Sequence, residues 1–292
     1  MSDQPAAPFQ PWRWLLSALG MQRRQLVRKV PILGVEGSGK SSLIVTIGQY
    51  VSVESLGSVK LESFQLFSQL LPIVQMGVPQ PPTLRYTPFH VEIRQIVEPD
   101  GGRLPVDLVL SSEDIPGQDF RLLCREISNN PGLSVTDGGD GAQLLQRFHA
   151  LLSDCHGFVF VIDLLRDLDP AEFRRDPARH VGRAYSDQVQ PIMDAVLLAA
   201  RSNVDLVHKP MFFVFSKKDL HGLPAARVAA DFERQMAIPL GPLRSAQVNI
   251  LRYDIQCAGW DMHQSMAQLG VQRFLSDLAH ATGAVATHRR SP

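Results

Sequence analysis

The sequence predicts an α/β fold with a mostly parallel central sheet, one antiparallel strand and helices on both faces. Two nearly uninterrupted apolar runs, Gly157–Asp163 and Pro210–Phe215, have the composition of parallel strands that are buried on both faces. Segments with apolar residues at helical spacing alternate with the predicted strands. A glycine-rich loop joins the first predicted strand to a helix, and in such folds ligands bind at the carboxyl ends of the strands.

The composition is that of a globular protein with ample material for a core. The chain has 292 residues, of which 45% are hydrophobic and 20% are charged. Basic and acidic residues both total 29, so the zero net charge gives no reason to expect a nucleic-acid partner. The three cysteines are scattered, and no apolar run approaches the roughly 18 residues that span a bilayer. We therefore expect a cytoplasmic protein.

Three regions are predicted along the chain. Residues 1–27 form an N-terminal extension, 28–283 form one domain, and 284–292 form a flexible tail. The extension contains the tryptophan- and leucine-rich segment Trp12–Met21, which is followed by a basic run. Such a segment is typical of an amphipathic helix at a membrane surface or on a partner, but many terminal segments pack on their own domain. We expect the second arrangement, without membrane contact.

The segment Gly34–Ser41 follows the phosphate-binding loop pattern G-x-x-x-x-G-K-[ST] without a mismatch. Its glycines let the backbone turn tightly and direct N–H groups inward, while Lys40 would reach the β- and γ-phosphates and Ser41 would bind Mg²⁺. The apolar strand Val30–Leu33 precedes the loop and a helix follows it, as the motif requires. The residues predicted to bind nucleotide here are Gly34, Glu36, Gly37, Ser38, Gly39, Lys40, Ser41 and Ser42.

The next elements begin with residues 50–82, which are predicted to form an irregular or partly helical insertion. Two strands follow, Thr87–Val97 and Leu104–Ser111, joined by a Pro-Asp-Gly-Gly turn. Residues 119–140 contain several chain-breaking residues and are predicted to form a long loop. Apolar residues on one face then predict a helix over Ala142–Asp154.

After the first buried strand, Glu172–His180 is predicted to be a charged, solvated loop. The alternation of helices and strands continues to the end of the domain. The remaining predicted elements are a helix near Asp187–Arg201, a helix over Ala225–Gln235, a strand over Gln247–Tyr253 and a last helix over Asp261–Thr282.

A second motif, Asp114-x-x-Gly117-Gln118, lies at the end of a predicted strand. An acidic residue at this position can hold Mg²⁺ through water, and Glu113 is the second candidate for that role. Gly117 leaves its N–H free to approach a γ-phosphate, and Gln118 can orient an attacking water. The pattern D-x-x-G alone is a common turn, but behind a phosphate loop it indicates a nucleotide site.

A third motif, Ser216-Lys217-Lys218-Asp219, ends the second buried strand. Asp219 can accept hydrogen bonds from guanine N1–H and its exocyclic amine, a pair of donors that adenine lacks, and the Lys217 stem can lie across the base. After the next strand, Cys257-Ala258 offers a backbone N–H for guanine O6. Each pattern alone is an ordinary turn, but their order indicates a guanine site.

The order of these motifs resembles that of the Ras/Rab/Arf-type small GTPases over most of residues 30–282. The resemblance implies a switch that binds GTP and GDP with Mg²⁺ and that is read by a protein effector or regulator. It implies that Gln118 and Lys40 act in a slow hydrolysis of GTP.

The resemblance also implies a switch I threonine as a Mg²⁺ ligand beside Ser41 and Asp114. Thr83, within a Pro-Thr-Leu segment, is the first candidate, and Thr87 is the alternative. Ser216 stands where the family has Asn or Thr, and Gly259 stands where it has a lysine. The extra length near switch II is reminiscent of GTPase-like proteins of bacterial conflict systems, including the double-GTPase families.

Two other functions fit part of the pattern. A P-loop ATPase would use Phe158–Asp163 as an apolar strand that ends in a metal-binding acid, but it leaves the pair Lys217 and Asp219 unexplained. A non-enzymatic scaffold would bind nucleotide, or none, without turnover. The intact Lys40, Ser41 and Gln118 favour an enzyme over a scaffold.

Overall fold

The structure is a computed structural model of the chain. It describes residues 26–77, 87–114, 117–129, 138–165, 168–191, 193–194, 208–218, 222–237, 250–257 and 270–284. In chain order, the elements are β1 (Leu26–Lys29), β2 (Ile32–Leu33), α1 (Lys40–Val53), β3 (Gly57–Val59), α2 (Leu61–Gln75), β4 (Thr87–Val97), β5 (Arg103–Asp114), α3 (Gly117–Asn129), α4 (Asp140–Ser153), β6 (Phe158–Asp163), α5 (Pro170–Arg175), α6 (Pro177–Ala184), a π-helical turn (Tyr185–Val189), β7 (Met211–Ser216), α7 (Ala225–Met236), β8 (Ile250–Asp254) and α8 (Val271–Ala281).

One sheet of eight strands passes through the described part of the chain, in the order β3-β4-β5-β2-β6-β7-β8, with β1 also beside β5. β4 is antiparallel to both of its neighbours, and the other pairings are parallel. β1 and β2 lie end to end along β5, with Leu26 opposite Leu108 and Ile32 opposite Asp114. The predicted sheet is confirmed, and the carboxyl ends of β2, β5, β6 and β7 share one edge.

The sheet is covered by helices on both faces, as predicted. Alternate residues of the fully buried strands β6 and β7 enter opposite clusters: Phe160 and Phe213 stack with ring centroids 5.0 Å apart, whereas Val161 and Val214 pack on the other face. Helices α4, α6 and α7 cover the phenylalanine face, and α1 and α8 cover the valine face. Burial of each such side chain contributes about 2 kcal/mol, so the core holds β2 and β6 firmly beneath the loop between β2 and α1.

The prediction of a loop over residues 119–140 is wrong in its first half, where α3 runs from Gly117 to Asn129. Leu123 and Ile127 lie one helical turn apart and pack against the phenylalanine-face cluster. The chain-breaking residues Asn129–Gly132 come at or after the end of the helix, so they do not interrupt it. Residues 130–137 lie outside the described part of the chain.

The prediction that Glu172–His180 is a loop is also wrong, because α5 and α6 occupy it. The charged side chains of this segment, such as Glu172 and Arg175, are nevertheless exposed, as predicted. Both helices start with Asp-Pro: the side chain of Asp169 accepts the Ala171 N–H at 2.7 Å, and that of Asp176 accepts the Arg179 N–H at 3.3 Å. An aspartate cap followed by proline at the first helical position is a standard helix start. The charged residues therefore flank a buried apolar face that includes Phe173 and Val181.

The insertion over residues 50–82 is partly helical, as predicted. Helix α1 continues to Val53, and α2 covers Leu61–Gln75. The short strand β3 between them was not predicted, since Gly-Ser-Val has no strand periodicity of its own. β3 is stabilised as a strand by its pairing with β4, in which Val59 lies opposite Val91.

The observed sheet and core extend slightly beyond the predicted domain, 28–283. The sheet begins at Leu26, and Ala284 is buried against the valine-face cluster. Most of the N-terminal extension, including Trp12–Met21, lies outside the described residues. The second half of the predicted helix 187–201 and the first part of the helix 261–282 also lie outside them. Of the helices in the described residues, none combines the length and apolar composition needed to cross a bilayer.

Candidate nucleotide site

The loop between β2 and α1 has the backbone shape that its glycines predict. Gly37 has φ +76° and Gly39 has φ +95°, values in the left-handed region that side chains other than glycine rarely adopt. Gly39 is also the last residue before α1, and its carbonyl accepts the Leu43 N–H at 2.9 Å. The glycines therefore turn the chain directly from the end of a buried strand into the start of a helix.

Gly34 is required for a different reason, which is close packing. A Cβ atom at this position would lie 2.5 Å from Ser38 Oγ and 2.8 Å from the Val161 carbonyl oxygen. Because Val161 lies in the middle of β6, its backbone cannot move aside. The loop is thus seated against the strand next to its own, and its shape depends on that contact.

Lys40 is the first residue of α1 and is only 6% exposed. Its Nζ donates to the Val35 carbonyl oxygen at 3.1 Å, so the ammonium lies over the centre of the loop rather than in solvent. The first turn of α1 contains no acidic residue, and Gly39 has no side chain to cap it. A buried ammonium beside an uncapped helix N-terminus is an arrangement that favours an anion.

The predicted contacts Glu36, Ser41 and Ser42 lie near this lysine in the sequence and are partly exposed. The Ser42 carbonyl accepts the Thr46 hydroxyl at 2.8 Å, and the same hydroxyl lies 3.0 Å from the Cys257 carbonyl. Thr46 is fully buried in α1 and was missed by sequence reasoning, although a threonine among apolar helix positions is a recognisable signal. It connects the helix after the phosphate loop to the segment after β8.

The third motif, Ser216-Lys217-Lys218-Asp219, is called the base motif because of its predicted contact with guanine, and its first residue contacts the phosphate loop. Ser216, the last residue of β7, has its hydroxyl 2.8 Å from the Ser38 carbonyl and 3.2 Å from the Ile162 carbonyl. Gly39 faces the same serine, since a Cβ on Gly39 would lie 3.4 Å from Ser216 Cβ. The Ser216 hydroxyl therefore connects the end of β7 to the phosphate loop.

Lys217 follows Ser216 and forms an ion pair with the buried Asp163 at the end of β6, with Nζ 2.5 Å from Oδ2. The other carboxylate oxygen of Asp163 accepts the Leu165 N–H at 2.9 Å. Both oxygens of Asp163, the acid that the ATPase alternative needs as a metal ligand, thus have partners within the protein. Asp219 lies outside the described residues.

The second motif begins at the same edge of the sheet. Asp114 is the last residue of β5 and lies opposite Ile32 of β2 on one side and Thr87 of β4 on the other. Gly117 and Gln118 are the first two residues of α3. The backbone thus brings the acid, the start of α3 and the phosphate-loop strand together.

The structure describes two of the four remaining predicted positions. Thr87, the alternative switch I threonine, is the first residue of β4 and belongs to the sheet rather than to a loop. Cys257 is 3% exposed, and its carbonyl is the partner of Thr46 described above. Thr83 and Ala258 lie outside the described part of the chain.

The sequence matches no protein-family model and no curated protein. Among solved structures, the SRb-GTP/SRX signal recognition particle receptor complex from Chaetomium thermophilum aligns with 13% identity and a TM-score of 0.41, covering 85% of this chain and 98% of that one. The small COPII coat GTPase SAR1 from Encephalitozoon cuniculi aligns with 15% identity and a TM-score of 0.35, covering 88% and 81%. Toc33 from Arabidopsis thaliana aligns with 12% identity and a TM-score of 0.39, covering 95% and 91%.

These neighbours are GTPases or proteins of the GTPase fold, but TM-scores below 0.5 give only a loose superposition. The chain's own residues define an α/β fold with a mostly parallel sheet, one antiparallel strand and a phosphate-loop motif between β2 and α1. Within that fold, the same residues decide what the site can bind.

Proposed function

We propose that the chain binds GTP and GDP at Gly34–Ser41 and hydrolyses GTP, acting as a nucleotide-dependent switch. The observation that supports this most is the 2.8 Å contact between Ser216 Oγ and the Ser38 carbonyl. A phosphate loop alone serves ATP and GTP equally, whereas Ser216 opens the segment that ends in Asp219. A base-reading segment that begins in contact with the phosphate loop suits a single ligand with a base at one end and phosphates at the other.

The phosphates would be bound by the inward N–H groups of the loop, by Lys40 and by the N-terminus of α1. The Val35 carbonyl accepts an N–H of the Lys40 ammonium, and this contact orients the group that would bind phosphate. The donor set also fits Mg²⁺, because Ser41 adjoins this lysine and Asp114 ends the neighbouring strand. Mg²⁺ held there would supply positive charge that offsets the negative charge developing on the phosphates during hydrolysis.

Hydrolysis and switching would depend on the start of α3. Gln118 orients the attacking water, and the Gly117 N–H approaches the γ-phosphate. Loss of that phosphate would release the segment from Asp114 to α3 and the segment that contains Thr83. An effector or regulator would distinguish the two arrangements, and without a partner we expect turnover on the order of 10⁻⁴ to 10⁻² s⁻¹.

The test is calorimetric titration of nucleotide-free protein with GDP, GTP and ADP in the presence of Mg²⁺. We expect binding of GDP and GTP but not of ADP, a loss of guanine selectivity in Asp219→Asn, and a loss of all nucleotide binding in Lys40→Ala. Lys60→Ala is the matched control, since Lys60 pairs with Glu92 on β4 at 3.3 Å and takes no part in the loop. Phosphate release from GTP should fall at least tenfold in Gln118→Leu.

The outcomes separate the alternatives. Binding of ADP as tight as that of GDP would contradict guanine selection and favour the ATPase. Folded, nucleotide-free protein that binds neither would favour the scaffold. GTP binding without phosphate release, even with cell extract added, would leave a nucleotide-binding protein that is not an enzyme.

A further inference from the structure

Asp163 is the last residue of β6, and each oxygen of its carboxylate has a partner within the protein. Its side chain is 3% exposed, with one oxygen on the Lys217 ammonium and the other on the Leu165 N–H. Removing a charged carboxylate from water is costly unless it is paired and hydrogen-bonded. Asp163 meets both conditions, and its charged partner is a residue of the base motif.

The backbone of Asp163 is fixed as well, by a residue 25 positions further on. Asp163 N–H donates to Gln188 Oε1 at 3.0 Å, and Gln188 Nε2 donates to the Asp163 carbonyl at 2.6 Å. β6 pairs with β2 only as far as Phe160, so the amide of Gln188 acts on Asp163 as a neighbouring strand would. Gln188 is 2% exposed and lies in the π-helical turn, a feature that is frequent at functional sites.

Lys217 has a strained backbone, which its surroundings maintain. Its φ of +60° is left-handed, and for residues other than glycine this costs about 1–2 kcal/mol. Ser216 before it is bound to the phosphate loop, and the Lys217 ammonium is bound to Asp163. The four-carbon stem therefore spans from the end of β7 to the end of β6 along a fixed course.

We propose that Asp163 is a positioning residue of the guanine site, which fixes the Lys217 stem as the surface on which the base rests, and that Gln188 fixes Asp163 in turn. This inference rests on the proposed function, because the stem matters only if a base lies against it. Asp163 acts through Lys217 and contacts no nucleotide itself. The π-helical turn thereby becomes part of the support of the base site.

The experiment is a double-mutant cycle on GDP affinity with Asp163→Asn and Lys217→Met. Asparagine keeps an oxygen for the Leu165 N–H but places an amide against the ammonium, whereas methionine keeps an apolar stem without the charge. We expect Asp163→Asn to weaken GDP binding about tenfold when Lys217 is present, and less than about twofold when Met replaces it. A purely structural role of Asp163 would give the same loss in both backgrounds.

Asp231→Asn is the matched control, because Asp231 is a buried aspartate on α7 that pairs with Arg234 at 2.6 Å. It should lower the unfolding midpoint without changing GDP affinity. If Asp163→Asn does not fold, Gln188→Glu tests the same connection, since it places a carboxylate oxygen against the Asp163 carbonyl. It should weaken GDP binding about threefold with Lys217 present, and an unchanged affinity would contradict the proposal.

The two proposals fail in distinguishable ways. Wild-type protein that does not bind GDP overturns the guanine site and, with it, the role of Asp163. Wild-type protein that binds GDP, combined with equal losses in the two Lys217 backgrounds, overturns only the positioning role. A loss confined to the Lys217 background supports both.

Discussion

The hydroxyl of Ser216 carries a connection that the sequence alone leaves in question. The residue is fully buried, and its short side chain reaches the carbonyls of Ser38 and Ile162 because β7 ends directly beneath the phosphate loop. A single hydroxyl proton cannot serve both acceptors fully, so the shorter contact, to Ser38, takes most of it. One side chain therefore couples the segment that would read the base to the loop that would hold the phosphates.

Replacing Ser216 with alanine should weaken nucleotide binding more than its small change in size suggests. The substitution leaves the Ser38 carbonyl without this buried donor, which should cost about 1–2 kcal/mol of unfolding free energy. We expect GDP affinity to fall about tenfold in calorimetric titration. Ser52→Ala is the control, since it removes a hydroxyl-to-carbonyl contact of 2.8 Å at the far end of α1. A similar loss of affinity in both variants would mean that the Ser38 contact is not specific to the site.

At the scale of the element, the phosphate loop uses its glycines for two separate purposes. Gly37 supplies a left-handed turn, and nothing lies within 4 Å of where its Cβ would be. Gly34 allows close packing, because a Cβ atom at this position would overlap Ser38 of the loop and the backbone of β6. The same chemical substitution should therefore have unequal effects at the two positions.

We expect Gly37→Ala to lower the free energy of unfolding by about 1–2 kcal/mol, which is the cost of a left-handed alanine. Gly34→Ala should lower it by about 3 kcal/mol or more, since either Ser38 or the backbone of β6 must shift. Urea unfolding of both variants measures this difference. Gly101→Ala, in the β4–β5 turn, is the control for a left-handed glycine with open space. Equal losses at positions 34 and 37 would contradict the packing role of Gly34.

The elements that the sequence predicts well are those with a strong local pattern. The buried strands β6 and β7 and helices α4 and α7 were predicted within one or two residues, because apolar runs and helical spacing report directly on burial. β3 could not be predicted, since its order comes from pairing with β4. Helices α5 and α6 could have been, because Asp169-Pro170 and Asp176-Pro177 are capping signals that charged neighbours obscured.

For the site, the phosphate loop was predictable because a fixed spacing of residues encodes its shape. The support provided by Thr46, Asp163 and Gln188 was not, because each acts across 25 or more residues of sequence through only one or two polar contacts. No local pattern distinguishes Gln188 from an ordinary exposed glutamine. Only the fold reveals that it meets the end of β6.

At the scale of the whole molecule, the two ends of the sheet differ in the residues that they carry. The carboxyl end carries the motifs, whereas the opposite end is closed by contacts between distant segments. Arg28 donates to the Gly283 carbonyl at 3.0 Å, and the Glu98 carboxylate lies 2.9 Å from His280 on α8. These contacts join β1 and the β4–β5 turn to α8 and the residues just after it.

His156 at this closed end connects β1 to the entrance of β6. Its backbone N–H donates to the Lys29 carbonyl at 2.7 Å, and its Nδ1 accepts the Lys29 N–H at 3.2 Å, which requires a neutral ring with its proton on Nε2. Burial, followed by the charges of Arg28 and Lys209, lowers the pKa of His156 below its ordinary value, against a smaller opposite effect of Asp154. The folded protein therefore resists protonation of this ring.

Acidification should destabilise the protein through His156. Between its lowered folded pKa and its ordinary value, the unfolded chain binds more protons than the folded one, so the free energy of unfolding falls as the pH decreases. His156→Asn keeps an oxygen that can accept the Lys29 N–H but does not titrate. We expect it to lose less stability than the wild type between about pH 7.5 and about pH 5.5, measured by urea unfolding. His208→Asn, at an exposed histidine, is the control for loss of an imidazole as such, and equal losses in His156→Asn and the wild type would show that acid acts on the fold through other groups.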